Sequence, residues 1–394
     1  MIPVFTFAGV PRIVFGPGGF GRIDGILEEI GSPVLIVTGA ASLDGSGQWD
    51  LLVRRLEKAA IRYERLAVKG EPSPEFVDRA VSRFRDRGIR VVLAVGGGSV
   101  LDAGKAISAM LPQDASVYEY LEGIGSRQHN GEKIPFVAVP TTSGTGSEAT
   151  RNAVLSRVGP QGFKRSIRHD RFLPDVAVID PELMLSCPPA VSAACGMDAF
   201  TQLLESYVST RANPITDALA YSGISFLKDS LLPVCTTEAH SVGRRASMAY
   251  ASLVSGIALA HAGLGVIHGL ASVIGSLFPI PHGVVCGTLL GAEARINIEK
   301  LRRAGREGHD ALRKYARIGA LVSGRQGIEE EVEPCCDLLM ETIDAWTERL
   351  EIPRLAEYGI RDADLERIVE GAGNKNNPVQ LNRDEIKDLL LMRL

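Results

Sequence analysis

Apolar and polar positions follow two different spacings along the first half of the chain. Compact apolar runs predict buried strands at residues 12–16, 33–38, 91–95, 135–139 and 175–180. Apolar residues at helical spacing predict helices at residues 49–60 and 76–87. Strands and helices that alternate in this way predict a mostly parallel sheet covered on both faces.

The pattern changes after residue 186, where strand-like runs give way to helical periodicity. Phe200, Leu203 and Tyr207, for example, recur at helical spacing. We therefore predict an α/β domain over residues 1–186 and an all-α domain over residues 187–394. A chain of 394 residues is long enough for two domains with sizeable cores.

One segment of the helical half has the composition of a membrane span. Residues 246–292 contain no Asp, Glu, Lys or Arg, and this length would suffice to cross a bilayer. Three histidines and two prolines interrupt the segment, at positions 261, 268, 282, 279 and 281. We therefore interpret it as central buried helices of the all-α domain, and we predict no membrane partner.

Charge and cysteine content narrow the classes of partner and compartment. The formal net charge is −4 without a long run of either sign, which argues against nucleic acid as a partner. The six cysteines show no CxxC spacing, which predicts reduced thiols. Residues 1–20 lack a basic start and a long apolar core, so we predict a cytoplasmic protein without a signal peptide.

Three consecutive glycines at residues 96–98 form the most informative motif. They follow a predicted strand and precede a helix that opens with Ser99 and Asp102. Glycine lets the backbone approach a ligand closely, and the free N–H groups at a helix start attract phosphate. The motif predicts a nucleotide-phosphate site at Gly97, Gly98 and Ser99. A purely structural turn is the alternative.

A second polar loop, residues 141–148, follows the next predicted strand. Thr141, Thr142 and Thr145 stand at its carboxyl end, where open α/β sheets bind their ligands. A structural alternative, which is compatible with ligand binding, is that the loop caps a following helix with Thr145 or Ser147 as the N-cap residue. Two such loops behind two apolar strands favour a dinucleotide cofactor.

The helical half contains a sparse set of metal-ligand residue types: Asp198, Gln202, His268 and His282. Asp198 and Gln202 are four residues apart and share one helix face. Imidazole and carboxylate are suitable ligands for iron or zinc. Each histidine on its own is more often a hydrogen-bonded core residue than a ligand, and spacing alone leaves the metal site open.

Seven ordered motifs resemble those of the iron-containing (group III) alcohol dehydrogenases, and the resemblance covers nearly the whole chain. They are GGGSVLD at 96–102, PTTSGTGSE at 140–148, PDVA at 174–177, DPEL at 180–183, GMDA at 196–199, HGLA at 268–271 and PHG at 281–283. The resemblance implies a Rossmann-like NAD(P)-binding domain, a helical metal- and substrate-binding domain and a cleft between them. This is the architecture of dehydroquinate synthase.

The resemblance also implies an activity, namely reversible hydride transfer between NAD(P) and the carbon of a small alcohol or aldehyde. A divalent metal, Fe²⁺ in the first place and Zn²⁺ as the alternative, would polarise the substrate oxygen. The implied metal ligands are Asp198, Gln202, His268 and His282, with the two histidines as catalytic residues. The implied cofactor-binding residues are Gly39, Gly97, Gly98, Ser99, Asp102, Thr141, Thr142, Thr145 and Lys164. A homodimer that shares the N-terminal strand region is also implied.

Two departures from the family pattern concern the metal and the substrate. The family has a histidine where this chain has Gln202, and an amide oxygen is a weaker ligand for a transition metal than imidazole. A second family histidine, on the substrate side, is Ser272 here. His261 precedes His268 by seven residues and would lie near the same helix face, so it could compensate. A hydrogen-bonded core histidine is the alternative for His261.

A third departure concerns the cofactor. NAD-specific relatives carry an Asp just after the second predicted strand, whereas this chain has Gly39 there. Without that carboxylate a 2′-phosphate is not repelled, so we expect NADP to be favoured over NAD. Lys164 is a further basic candidate near the cofactor, with a solvated surface lysine as the alternative.

Three other functions remain open from the sequence. The first is a metal-free keto-acid reductase of the maleylacetate reductase type, with His268 or His282 as proton donor. The second is a lyase of the dehydroquinate synthase type, against which the lack of a basic cluster in the helical half argues. The third is a non-catalytic assembly protein that has kept the fold.

Overall fold

The computed structural model describes residues 2–325, 327 and 331–394, and eight strands lie within them. The strands are β1 (Arg12–Phe15), β2 (Val34–Gly39), β3 (Tyr63–Val68), β4 (Val91–Gly96), β5 (Phe136–Pro140), β6 (Asn152–Arg157), β7 (Phe163–Arg168) and β8 (Val176–Ile179). Six of them form a parallel sheet in the order β1-β8-β5-β4-β2-β3. The other two, β6 and β7, form a separate antiparallel hairpin.

Fifteen α-helices lie in the same described residues. They are α1 (Ile23–Ile30), α2 (Ser42–Gly45), α3 (Gln48–Lys58), α4 (Pro74–Phe84), α5 (Gly98–Met110), α6 (Pro189–Val208), α7 (Pro214–Leu227), α8 (Leu231–Cys235), α9 (Val242–Ala262), α10 (Val266–Leu277), α11 (His282–Ala304), α12 (His309–Ser323), α13 (Val332–Arg349), α14 (Asp362–Gly371) and α15 (Arg383–Leu391). All eight strands end by Ile179, and the described chain beyond Pro189 is helical.

The central strands are buried along nearly their whole length because helices cover both faces of the sheet. Strands β4 and β5 have no exposed residue, and only Gly39 at the end of β2 is partly exposed. Side chains of α1 and α3 pack on one face, and those of α4 and α5 pack on the other. Continuous apolar runs are typical of such doubly covered parallel strands.

The strand order creates a crevice between β2 and β4. The chain leaves β2 towards β3 on one side and leaves β4 towards β5 on the other, so the order reverses between these two neighbours. Open α/β sheets bind ligands at such a switch point, outside the carboxyl ends of the strands. Gly39 and Gly96, the last residues of β2 and β4, therefore border the expected ligand crevice.

All five predicted strands are confirmed, as β1, β2, β4, β5 and β8, and the two predicted helices appear as α3 and α4. The sequence analysis missed β3 and the β6–β7 hairpin. Strand β3 is an edge strand with Glu64 and Arg65 at its centre, so it lacks an apolar run.

The capping alternative for the second loop is wrong. In the described chain that loop leads through a 3₁₀ turn, Ser147–Ala149 with Gly146 as its N-cap, into β6.

The uncharged segment 246–292 forms most of α9, all of α10 and the first half of α11. These helices contribute most of their apolar residues to the cores of the described molecule. No single described helix is both long and apolar enough to cross a membrane. Only α9 and α10 taken together have that length and composition, and the chain bends by 102° between them.

Candidate active site

The glycine turn lies against the second polar loop at the carboxyl edge of the sheet. Helix α5 begins at Gly98, and Gly97 at its N-cap position provides no side-chain cap. A Cβ atom at Gly98 would lie 2.7 Å from the side chain of Thr145, so only glycine fits there without a shift. The first N–H groups of α5 are therefore left for a ligand, as a phosphate site requires.

Two charged residues of α5, the partly buried Asp102 and the buried Lys105, fix the position of the second loop. Asp102 accepts hydrogen bonds from the Ser147 hydroxyl at 2.6 Å and from the backbone N–H of Val154 at 3.1 Å. Lys105 donates to the Ser147 carbonyl at 2.7 Å and to the Thr150 hydroxyl at 2.8 Å. Burial raises the pKa of Asp102 and lowers the pKa of Lys105 to about 8. These contacts hold the two loops in one fixed arrangement.

The predicted cofactor residues other than Gly39 line two cavities on the two sides of the glycine turn. One cavity of about 240 Å³ contains Gly97, Thr141 and Thr142 in its lining, together with Leu43, Ser46 and Gln48 from the segment after β2. The other, also about 240 Å³, reaches from the sheet to the helical half. Its lining includes Gly98, Ser99, Asp102, Thr145, Lys164, Gln202, His268, Ser272, His282 and Lys375.

Four potential metal-ligand side chains converge at the helical side of the second cavity. They are Asp198 from α6, His268 from α10, and His282 and Cys286 from α11, and one ligand atom of each lies within 4.8 Å of all the others. Nε2 of His268 lies 3.5 Å from Oδ1 of Asp198, and Nε2 of His282 lies 3.8 Å from the same oxygen. Sγ of Cys286 lies 3.7 Å from each of these two nitrogens.

The polar atoms of this cluster fit a metal ion. Oδ1 of Asp198 is buried and has no hydrogen-bond partner among the described residues. Burial alone would raise the pKa of Asp198, but the neighbouring His282 and His268 hold it at about 2, so the residue is a carboxylate. An unpaired buried carboxylate oxygen is costly, and a cation would satisfy it.

A second carboxylate orients His268. Oε2 of Glu205 lies 2.6 Å from Nδ1 of His268, and this contact turns Nε2 towards Asp198. Burial opposes protonation of the imidazole, but nearby acidic groups, Glu205 among them, raise the pKa of His268 well above its usual value. A carboxylate behind the imidazole is the usual support of a metal-ligating histidine.

His282 and Cys286 are one helical turn apart on α11. Without a metal ion, the imidazole is unprotonated and neutral, and the thiol is protonated and neutral. Burial lowers the pKa of His282 to about 4, although Asp198 opposes the shift. Burial likewise raises the pKa of the Cys286 thiol to about 12, with His268 opposing. A bound metal ion would instead favour the Cys286 thiolate, because a coordinating thiol is deprotonated.

Gln202 and Ser272, which depart from the family pattern, both border the second cavity, whereas His261 lies elsewhere. Gln202 lines the second cavity, but its Oε1 accepts a hydrogen bond from the Ser255 hydroxyl at 2.8 Å. The Ser272 hydroxyl also borders this cavity and donates to the carbonyl of His268 at 2.9 Å. His261 lies at the end of α9, where its ring stacks on Phe7 at 3.8 Å between centroids.

The expectation that His261 and His268 share one helix face is therefore wrong, because the chain bends sharply between α9 and α10.

Lys164 is not a solvated surface lysine. Its side chain is 8% exposed, and its ammonium group pairs with Glu71 at 2.5 Å at the margin of the second cavity. Gly39 ends β2, and α2 begins three residues later; Asp44 of α2 is held by Arg65 through two hydrogen bonds of 2.8 Å.

The sequence analysis missed Cys286, Glu205 and Lys375. Cys286 follows His282 by four residues and Glu205 follows Asp198 by seven, so helical spacing could have placed both beside the predicted ligands. Lys375 lines the cavity and donates to the carbonyl of His268 at 2.9 Å. It belongs to an irregular segment after α14, where no periodic signal exists.

Comparison with known proteins assigns both halves of the chain. The family described as "Iron-containing alcohol dehydrogenase" matches residues 11–181, and "Fe-containing alcohol dehydrogenase family, C-terminal" matches residues 192–394. The chain belongs to the iron-containing alcohol dehydrogenase family. As a member of this family it is an NAD(P)-dependent alcohol dehydrogenase, an oxidoreductase that acts on CH–OH groups.

Several relatives of this iron-containing alcohol dehydrogenase match it along nearly their whole length. Alcohol dehydrogenase 4 of Saccharomyces cerevisiae is 32% identical, with 98% of this chain and 97% of the relative covered. NADPH-dependent butanol dehydrogenase of Clostridium saccharobutylicum is 29% identical, with 96% of each covered. The crystal structure of a 1,3-propanediol oxidoreductase superimposes with a TM-score of 0.88 at 30% identity and covers 100% of both chains.

Proposed function

We propose that residues 1–186 bind NAD(P), that residues 187–394 hold the metal and the substrate, and that the reaction takes place in the cavity between Gly98 and His282. The observation that carries this proposal is the convergence of Asp198, His268 and His282 on a cavity that the glycine turn also borders. When bound, NAD(P) exchanges the hydride, and the metal polarises the substrate oxygen.

The chain's own residues hold and orient these groups. Asp198, His268 and His282 bind the metal, with Glu205 fixing His268 through Nδ1. Gly97, Gly98 and Ser99 offer backbone N–H groups to the cofactor phosphates, and Thr141, Thr142 and Thr145 offer hydroxyls on the facing loop. Asp102 supports the cofactor site indirectly. One of its carboxylate oxygens accepts a hydrogen bond from the second loop, and the other accepts one from β6.

NADP is the cofactor that these residues favour. Gly39 places no carboxylate at the end of β2, and the first acidic residue after it, Asp44, is already paired with Arg65. A guanidinium near the ribose site suits a 2′-phosphate. Lys164 would contribute a second positive charge on the far side of the turn, although Glu71 compensates part of it.

The same proposal includes a cytoplasmic homodimer. Cys187, Cys195, Cys235, Cys286 and Cys336 are free thiols in the described chain, as a reducing compartment requires. Strand β1 is an edge strand of the sheet, and Val4, Phe5, Val10 and Phe15 in and before it are exposed. Edge strands with apolar side chains invite pairing with another chain. Light scattering after size-exclusion chromatography would measure the mass, and a monomer of 42.2 kDa would contradict the dimer.

The function is tested by oxidation of NADPH and NADH with a panel of short aliphatic aldehydes. Chelator-stripped protein is compared with the same protein reloaded anaerobically with Fe²⁺ or Zn²⁺. Activity that returns only on reloading supports the metal role of Asp198, His268 and His282. Equal activity in both samples contradicts it.

One observation favours a second candidate, the metal-free keto-acid reductase. His268 lines the second cavity, and Glu205 fixes its Nδ1, so its Nε2 is placed to donate a proton to a carbonyl oxygen. In that case the stripped protein would reduce a keto acid as fast as the reloaded protein. Replacement of His268 by Gln would then abolish the reaction without any change in metal content.

A further inference from the structure

We infer that Cys286 is the fourth protein ligand of the metal, as a thiolate, and that it makes this a site for a zinc-type ion rather than for iron. The inference rests on the proposed metal role of Asp198, His268 and His282. It replaces Gln202, which the sequence analysis placed in the ligand set.

Four of the six distances between the donors are close to those between neighbouring ligands of one ion, and the other two are within 4.8 Å. The substrate oxygen would then be a fifth ligand, as in zinc sites that become five-coordinate. Zinc lies about 2.0–2.3 Å from nitrogen, oxygen and sulfur ligands, which places neighbouring ligands about 3.3–3.6 Å apart. The two nitrogen–oxygen distances here are 3.5 and 3.8 Å, and both nitrogen–sulfur distances are 3.7 Å. Shifts of a few tenths of an ångström would bring these four distances to the values expected around one ion.

Cys286 is positioned to bind from within the cluster. It lies one turn after His282 on α11, is completely buried, and its sulfur contacts both metal-facing imidazole nitrogens. Gln202 also lies one turn after a ligand, on α6, but its carbonyl oxygen is held by Ser255 of α9. Helix α11 therefore supplies the donor that α6 lacks at residue 202.

The change of donor alters the preferred ion. Thiolate is a soft ligand that favours zinc, whereas carboxylate and amide oxygens favour harder ions. Together, Asp198 and a Cys286 thiolate carry two negative charges, which balance a divalent ion in a buried site.

The test is the binding of Co²⁺ and Zn²⁺ to the full-length, chelator-stripped protein. Co²⁺ bound through sulfur gives a near-ultraviolet thiolate-to-metal charge-transfer band, which Asp and His ligands do not produce. We expect this band at one equivalent of Co²⁺ in the unmodified protein, and its loss in Cys286→Ala. Cys336→Ala is the matched control, because Cys336 is equally buried but lies on α13 beside Leu312.

The affinity for Zn²⁺ should fall at least about 10- to 100-fold in Cys286→Ala, since even the loss of an outer-shell partner has that effect. The preference of the same variant for Zn²⁺ over Fe²⁺ should also fall, and Cys336→Ala should match the parent. One equivalent of Co²⁺ bound without the charge-transfer band would overturn the thiolate assignment and leave the metal site intact. Failure to bind any ion at one equivalent would contradict the metal role itself.

Discussion

Nδ1 of His268 lies 2.6 Å from Oε2 of Glu205, with both side chains buried between α6 and α10. The other carboxylate oxygen accepts the backbone N–H of Ile267 at 2.8 Å, so both oxygens of Glu205 are fixed. This arrangement determines which imidazole nitrogen faces Asp198. A residue that does not touch the metal position therefore sets the orientation of one that does.

We predict that Glu205→Gln weakens metal binding about 10- to 100-fold, as the loss of such a supporting carboxylate typically does. The amide would present either a neutral oxygen or an N–H group to Nδ1, and both stabilise the required tautomer less than a carboxylate. Competition with a chromophoric chelator measures the affinity. Glu293→Gln is the control, because Glu293 is also buried but contacts Asn297 on α11. Equal weakening in both variants would indicate a general packing effect.

The glycine turn leads to a prediction on the cofactor side. We predict that Gly98→Ala raises the KM for the nicotinamide cofactor at least about tenfold, equivalent to about 1.4 kcal/mol. The added Cβ would meet Thr145 at 2.7 Å and displace the second loop from the turn. The metal content should not change. Gly25→Ala on α1 is the control, because no atom lies within 4 Å of its added Cβ. An unchanged KM in Gly98→Ala would show that the turn does not position the cofactor.

Cofactor choice should respond to the residue that ends β2. We predict that Gly39→Asp lowers kcat/KM for NADPH by roughly tenfold or more, since a contact to a charged group contributes about 1.5–3 kcal/mol. The new carboxylate would repel the 2′-phosphate and accept a hydrogen bond from the ribose of NADH. Gly39→Asn has nearly the same size without the charge, so it should disfavour NADPH less. If both variants lower NADPH use equally, size rather than charge is responsible.

The buried Glu148 should make stability depend on pH. Burial raises its pKa to about 7, against opposing contributions from its own backbone N–H and from Lys105, whereas an ordinary glutamate titrates near 4.5. Between these values the folded protein holds a proton that the unfolded chain has released, so stability falls as pH rises through this window. The loss by pH 8 is at most about 3 kcal/mol.

Glu148→Gln removes this titration, so we expect its stability relative to the parent to be higher at pH 8 than at pH 5. Urea unfolding at the two pH values measures the difference. Glu57→Gln on the exposed face of α3 provides the control. Parallel pH dependence in Glu148→Gln and the parent would contradict a buried, protonated Glu148.

The sheet was predictable to the extent that its strands are buried on both faces. Strands such as β2 and β4 consist of continuous apolar residues, a pattern that local sequence alone reveals. Strand β3 is at the sheet edge and half exposed, so its polar residues conceal it. The β6–β7 hairpin depends on contacts with distant helices, which no local pattern encodes.

The candidate site was predictable where a resemblance existed and incomplete where the chain departs from it. Asp198, His268 and His282 converge as their motifs suggested. Cys286 was overlooked because a lone cysteine in an apolar helix looks like core. Its significance comes from the fold, which brings α6, α10 and α11 together at one point.

The β6–β7 hairpin has a mechanical consequence for turnover. Its first strand packs on α5, where the Val154 N–H is bound to Asp102, and its second strand packs on α10. The hairpin turn is bound to α10 as well, through the Gly159 N–H and the Ser276 carbonyl at 3.0 Å. The hairpin thus connects α5 of the sheet domain to α10 of the helical half, beside the second cavity. We therefore expect a wide opening of the cleft, such as the release of a spent cofactor would need, to require the loss of one of these contacts.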